Sequence, residues 1–136
     1  MAYLPTESLL PWSPFDHKCW LGLSEPVTRK AVQAAIDSKC LCGTPWDVEH
    51  WDSGVHVRRI AYLVTHGWTE PIEIDVGVPT LGCNIDWVIL DGHHRLAAAI
   101  FRGDANVLVS VSGDVDYAGQ LFNVPADSLL ESNLKG

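Results

Sequence analysis

The sequence is short of positive charge. Nine Lys and Arg stand against 17 Asp and Glu, a formal net charge of -8, and Arg58-Arg59 is the only pair of adjacent Lys or Arg outside Arg29-Lys30. Backbone contacts to nucleic acid each need a Lys or Arg to displace counterions, so a stand-alone, sequence-blind DNA binder is disfavoured, while a small local anion site stays open. Long hydrophobic runs are missing too. Nothing approaches the about 18 to 20 apolar residues of a membrane-spanning helix, so no membrane partner is expected. The opening Met1-Ala2-Tyr3-Leu4-Pro5 has neither a basic region nor an apolar stretch before its first proline, which argues against a signal peptide and for a cytoplasmic protein. Cysteine is sparse: Cys19, Cys40, Cys42 and Cys83 are read as reduced thiols, since no secretory context supports a disulfide framework. His17 and Cys19 with Cys40 and Cys42 could supply four zinc ligands, but no Cys-x-x-Cys pair is present and packed thiols are the ordinary outcome.

What is there is enough for a real core. With 136 residues, 47% hydrophobic and 19% charged, the chain suits one folded domain and is too apolar for a disordered one. Without repeats or linkers, the reading is a single α+β domain over 1–136, a mixed sheet with flanking helices. Residues 1–53 form an arm rich in proline and aromatic rings (Pro5, Pro11, Trp12, Pro14, Phe15, Trp20), then a short helix and a loop. Each proline removes a donor and biases its predecessor toward extended backbone, so the arm is expected to be irregular. Ser24-Glu25-Pro26 marks a helix start, with the helix over Val27 to Ser38, and Cys40 to Gly54 reads as loop.

The core, 54–112, has clearer periods. Val57, Ile60, Ala61 and Val64 lie on one helical face, and Gly67 is a natural stop. Ile72, Ile74 and Val76 alternate with Glu73 and Asp75, a strand with one wet face. A loop follows from Gly77 to Asn84, and the continuous run Trp87-Val88-Ile89-Leu90 predicts a strand covered on both faces. Leu96 to Phe101 predicts a helix ending at Gly103, and Asn106 to Val111 another strand. The tail, 113–136, is expected to hold short helices near Tyr117 to Phe122 and Ala126 to Asn133.

Chemistry concentrates at Asp91-Gly92-His93-His94-Arg95, where an apolar strand turns into an alanine-rich helix. Backbone N–H groups at a helix start lack partners, and the dipole adds partial positive charge. Gly92 permits a tight turn, Arg95 offers a planar fork for phosphate oxygens, and His93 and His94 can donate hydrogen bonds or move protons. Asp91 could position a metal or accept a proton. The same junction has a plain structural reading, with Asp as a cap and Gly as a hinge.

The order of a helix ending at Gly67, Glu70-Pro71-Ile72-Glu73-Ile74, then Val88-Ile89-Leu90-Asp91-Gly92-His93-His94-Arg95 and a strand after Gly103 resembles the ParB/sulfiredoxin superfamily. The resemblance covers His56 to Val111 and implies that fold, with a Gly-x-x-Arg turn leading into a helix. Sulfiredoxins have a catalytic cysteine after the Gly; His93 stands there, so that chemistry is not implied. Partition ParB proteins have Glu-Arg-Arg after the Gly and bind CTP; only Arg95 matches. The wording Asp-Gly-His-His-Arg is most similar to the free-serine kinases, which transfer phosphate from ADP to serine. By that resemblance Gly92, His93, His94 and Arg95 hold phosphates and Asp91 lies near magnesium or substrate. Asp16 is the nearest equivalent of the family's upstream glutamate base, and Glu25, Glu49 and Asp52 are also available to orient a nucleophile.

The expectation is therefore a nucleotide-binding protein (ATP, ADP or CTP, with Mg2+) that hydrolyses the nucleotide or transfers its phosphoryl group. Trp12, Trp46 or Trp51 could cover a base. A different class of function is a non-catalytic interaction or inhibitor module that binds another protein through the aromatic first 50 residues and an acidic surface; such small ParB-like proteins occur on mobile elements. A third is a ParB-like nuclease, against which the acidic net charge weighs.

Overall fold

The computed structural model describes residues 1–20 and 27–130, which divide into two compact units, one built on a sheet and one on helices. The sheet unit takes Met1–Trp12, Glu70–Gly92 and Asp104 onward; the helical unit takes Ser13–Thr69 and His93–Gly103. An α+β chain with a mixed sheet is what results. The segment 54–112 contributes to both units.

In the sheet unit, β1 (Ala2–Pro5), β6 (Asn106–Ser112), β2 (Ile72–Asp75) and β5 (Ile89–Asp91) lie side by side in that order. β6 pairs antiparallel with β1 and parallel with β2, and β2 pairs antiparallel with β5. Val109 is in register with Ala2 on one side and Ile72 on the other, and all three are buried. Alternation in β6 puts Val107 and Val109 inward with Leu4 and Ile74, each such side chain worth about 1.5 to 3 kcal/mol on burial. Asp114 caps α4 (Val115–Phe122) by accepting from the N–H groups of Asp116 and Tyr117. Phe122, which ends that helix, meets Trp12 edge-on at 5.8 Å, while Trp12 Nε1 donates to Asp86 O at 2.9 Å.

The helical unit packs α1 (Arg29–Ser38) and α3 (His93–Arg102) against a central α2 (Ser53–His66). Thr28 Oγ1 caps α1 by accepting from Ala31 N–H, and Asp52 caps α2 through Val55 N–H. Val32 and Ala35, then Val57, Ile60, Ala61 and Leu63, then Ala97 and Ala98 form one buried cluster. Small residues on α3 let its backbone come close to α2. Among the described residues, no helix is long and apolar enough to cross a membrane.

Several elements depart from expectation. Ala2–Pro5 is a strand and Thr6–Trp12 a 3-10 helix, so the start of the arm is regular; Pro5 is tolerated because β1 is an edge strand. The Gly77 to Asn84 loop contains a small hairpin, β3 (Gly77–Val78) with β4 (Cys83–Asn84). The strand expected to be covered on both faces is three residues long at the sheet edge, and Leu90 is 68% exposed. Helix α2 starts at Ser53, inside the expected loop, because Asp52 provides a cap. The helix start at Ser24-Glu25-Pro26, and Glu131 to Asn133 of the expected tail helix, lie outside the described residues.

Charge divides with the units. Among the described residues the sheet unit has ten carboxylates (Glu7, Glu70, Glu73, Asp75, Asp86, Asp91, Asp104, Asp114, Asp116, Asp127) and no Lys or Arg. The helical unit has eight bases (Lys18, Arg29, Lys30, Lys39, Arg58, Arg59, Arg95, Arg102) and five carboxylates (Asp16, Asp37, Asp47, Glu49, Asp52). All six histidines are also in the helical unit.

Candidate functional site

The inward stripe of α2 begins with a histidine. His56 lies four residues before Ile60 on the same helical face and is only 5% exposed. A polar ring in an apolar stripe needs a hydrogen-bond partner. The partner is His94, in the first turn of α3: His56 Nδ1 and His94 Nε2 are 2.8 Å apart. One of these two nitrogens carries the hydrogen and the other accepts it, so the bond excludes a proton on both.

Two indoles cover the pair. Trp20 stacks on His56 at 4.3 Å and on His94 at 5.0 Å, both at 24°. Trp51 lies tilted at 5.0 Å from His56 and 5.4 Å from His94. His93 meets Trp20 edge-on at 6.3 Å. Burial pushes His56 down to about 4, against the attraction of Asp52. Burial pushes His94 down to about 3, helped by the positive charge of His56, Arg59, His93 and Arg95. At neutral pH the pair is uncharged: it can accept or donate hydrogen bonds, and it is no cation.

No protein-family model, no curated protein and no solved structure matches the chain.

The residues singled out in the sequence fall in different places. His93, His94 and Arg95 form the first turn of α3 in the helical unit, whereas Asp91 and Gly92 belong to the sheet unit. Gly92 has φ 101°, the left-handed region that favours glycine, immediately before α3 begins. Asp91 ends β5, exposed, opposite Glu73. Asp16 is exposed and its N–H bonds Ser13 O; none of the ring contacts or hydrogen bonds of the histidine pair involves it. Of the other candidate orienting groups, Glu49 is exposed, Asp52 is spent on its cap, and Glu25 lies outside the described residues.

Among the described residues, no group of three or more His, Cys, Asp or Glu is arranged to hold a metal ion. All four cysteines are free thiols, and burial pushes Cys19 up to about 11. Sequence reasoning did not find His56 or the covering role of Trp20. The signal for His56 was its place at the head of the Val57, Ile60, Ala61, Val64 stripe, where a solvent-facing residue would break the period.

Proposed function

We propose that this is a nucleotide-binding protein of the ParB/sulfiredoxin kind. Gly92 and the first turn of α3 hold the phosphates, and the nucleotide is hydrolysed or gives up its phosphoryl group. The observation that carries this reading is the placement of charge. The left-handed glycine is followed at once by a helix start bearing His93, His94 and Arg95, in a unit with a basic surplus among its described residues. Helix N-terminal amides, their dipole and a guanidinium fork favour phosphate together.

Magnesium fits this reading as a companion of the nucleotide. Mg2+ is usually held by one or two carboxylates plus substrate phosphates, so a many-ligand cage is not required, and Asp91 is the exposed carboxylate beside the turn in sequence. When bound, the ion would neutralise charge on the transferring phosphoryl group. Asp16 remains the proposed base on resemblance alone.

The test is calorimetric titration with ATP, ADP and CTP in the presence of Mg2+, for wild type and Arg95→Ala, with thermal unfolding run beside it. Micromolar binding that weakens by about 10- to 100-fold in the variant, at a similar melting temperature, is the expected result. An unchanged dissociation constant overturns the reading.

A second reading, an interaction or inhibitor module, is favoured by Trp46, 78% exposed in the short 3-10 turn Pro45–Asp47, and by a sheet unit without a described base. No heat with any nucleotide, together with stable capture of a protein partner by both wild type and Arg95→Ala, would select it. Metal-dependent nicking of DNA that disappears in His94→Ala would select the nuclease instead.

A further inference from the structure

His94 stands in the first turn of α3 beside His93 and Arg95. Its surroundings give it a more definite part, and they do so through a residue on another helix. His94 Nε2 is 2.8 Å from His56 Nδ1, so one of its ring nitrogens is already committed. Among the described residues no hydrogen bond occupies His94 Nδ1, its other ring nitrogen. Two proton arrangements satisfy the bond. In one, His56 Nδ1–H donates to His94 Nε2, and His94 carries its own hydrogen on Nδ1. In the other, His94 Nε2–H donates to His56 Nδ1, and His94 Nδ1 is a bare lone pair. A phosphate oxygen is an acceptor and selects the first.

We propose, building on the nucleotide reading above, that His56 is the positioning residue of the α3 turn: its Nδ1–H bond to His94 Nε2 makes His94 Nδ1–H a fixed donor to a nucleotide phosphate. His94 is then a neutral hydrogen-bond donor. Positive charge at the turn comes from Arg95 and the helix amides, and the general base is another group. The tryptophans enforce the arrangement. Trp20 stacks on both imidazoles and Trp51 lies against both, so neither ring can rotate without breaking the stack.

Charged and titratable groups face the pair from both helices. On α2 they are the capping Asp52, which favours a proton on His56, and Arg59, which opposes one on His94. On α3 they are His93 and Arg95, both of which oppose it, and the rings of Trp20 and Trp51 carry no charge. Burial and three like-signed neighbours outweigh one carboxylate, so the pair stays uncharged from mildly acidic to basic solution.

The test compares wild type with His56→Asn and His56→Ala, using Mg2+ with ATP as the probe. Asparagine keeps a hydrogen-bonding atom where Nδ1 stands and does not titrate; alanine removes it. Long-range 1H–15N spectra of histidine-labelled protein identify which nitrogen carries hydrogen. In ATP-bound wild type, His94 is expected to be protonated on Nδ1 alone, and to remain so across pH 5.5 to 7.5. ATP binding is expected to weaken about tenfold in His56→Ala and to stay within about twofold of wild type in His56→Asn. In His56→Ala the dissociation constant should also gain a pH dependence absent from His56→Asn, which a loss of packing alone would not produce. His94 carrying hydrogen on Nε2 in the ATP complex overturns the proposal. So does a folded His56→Ala that binds as wild type does, and in both cases nucleotide binding itself stands. Absence of ATP binding by wild type overturns the nucleotide reading, and the positioning role falls with it.

Discussion

Acid should unfold the helical unit by way of the histidine pair, and the size of the effect follows from the geometry. Both imidazoles are held well below the ordinary value of 6.5, His56 at about 4 and His94 at about 3. In the unfolded chain both return to about 6.5, so between about pH 6.5 and 3 the unfolded state binds more protons than the folded one. Stability is therefore undiminished above about pH 6.5 and falls as the pH drops through that window. A ring kept neutral at pH 5, about 1.5 units below its unfolded value, costs about 2 kcal/mol at about 1.36 kcal/mol per unit. Two rings cost about 4 kcal/mol, and water reaching the half-buried His94 trims this to about 3. That is a large share of the about 5 to 15 kcal/mol that holds an ordinary domain together. Urea unfolding followed by tryptophan fluorescence is weighted toward the helical unit, which holds four of the six tryptophans (Trp20, Trp46, Trp51 and Trp68). The control is the double variant His56→Asn with His94→Gln, whose amides take the places of Nδ1 and Nε2 and do not titrate. The carboxylates are the same in both proteins, so the difference reports chiefly on the pair. Wild type should lose about 3 kcal/mol more than the double variant between pH 7.5 and 5. Parallel stability curves would refute the reasoning.

Three further outcomes are expected. Trp20→Ala removes the ring stacked on both imidazoles and should cost about 2 to 3 kcal/mol in urea unfolding, with both histidines titrating closer to 6.5 by NMR; a cost below about 0.5 kcal/mol would show that the stack is incidental. Gly113→Ala should cost about 3 kcal/mol or more, because φ is 94° and a Cβ would stand 2.5 Å from Gly77 O. Thermal unfolding by far-UV circular dichroism measures this, and a variant as stable as wild type contradicts the close pass of the two backbones. Cys19, pushed up to about 11, should react with iodoacetamide more slowly than the exposed Cys40 at pH 8, as read by peptide mass spectrometry; equal rates would mean that the Cys19 thiol is not screened.

Helices and the central strands were readable because each carries its own period. Val57, Ile60 and Ala61 declare α2, and Val107 and Val109 declare β6, with the structure extending these segments by a few residues. The strand at Ala2–Pro5 was not readable, since four residues containing a proline have no period of their own and take strand form by pairing with β6. The exposed side of β5 was hidden for a related reason: Leu90 is apolar, and a sheet edge is a property of topology, which the run Val88-Ile89-Leu90 does not encode. At the site, local chemistry was legible and its partners were not. Asp-Gly-His-His-Arg stands out along the chain, but the bond from His94 to His56 spans 38 residues and follows from how α2 meets α3. The whole-chain charge of -8 likewise conceals that the described bases all lie in the helical unit.

The sheet unit is made of three separated stretches, and its first strand pairs with residues more than a hundred positions away. During synthesis, β1 leaves the ribosome long before β6 exists. Its partner is available only after the whole helical unit, Gly103 included, has emerged. Closing so long a loop is slow, and the order of assembly follows: α1 and α2 can pair early, and the four-stranded sheet closes last. Until then Ala2 and Leu4, both buried once β1 has paired with β6, lack the strand that sits beside them in the finished sheet.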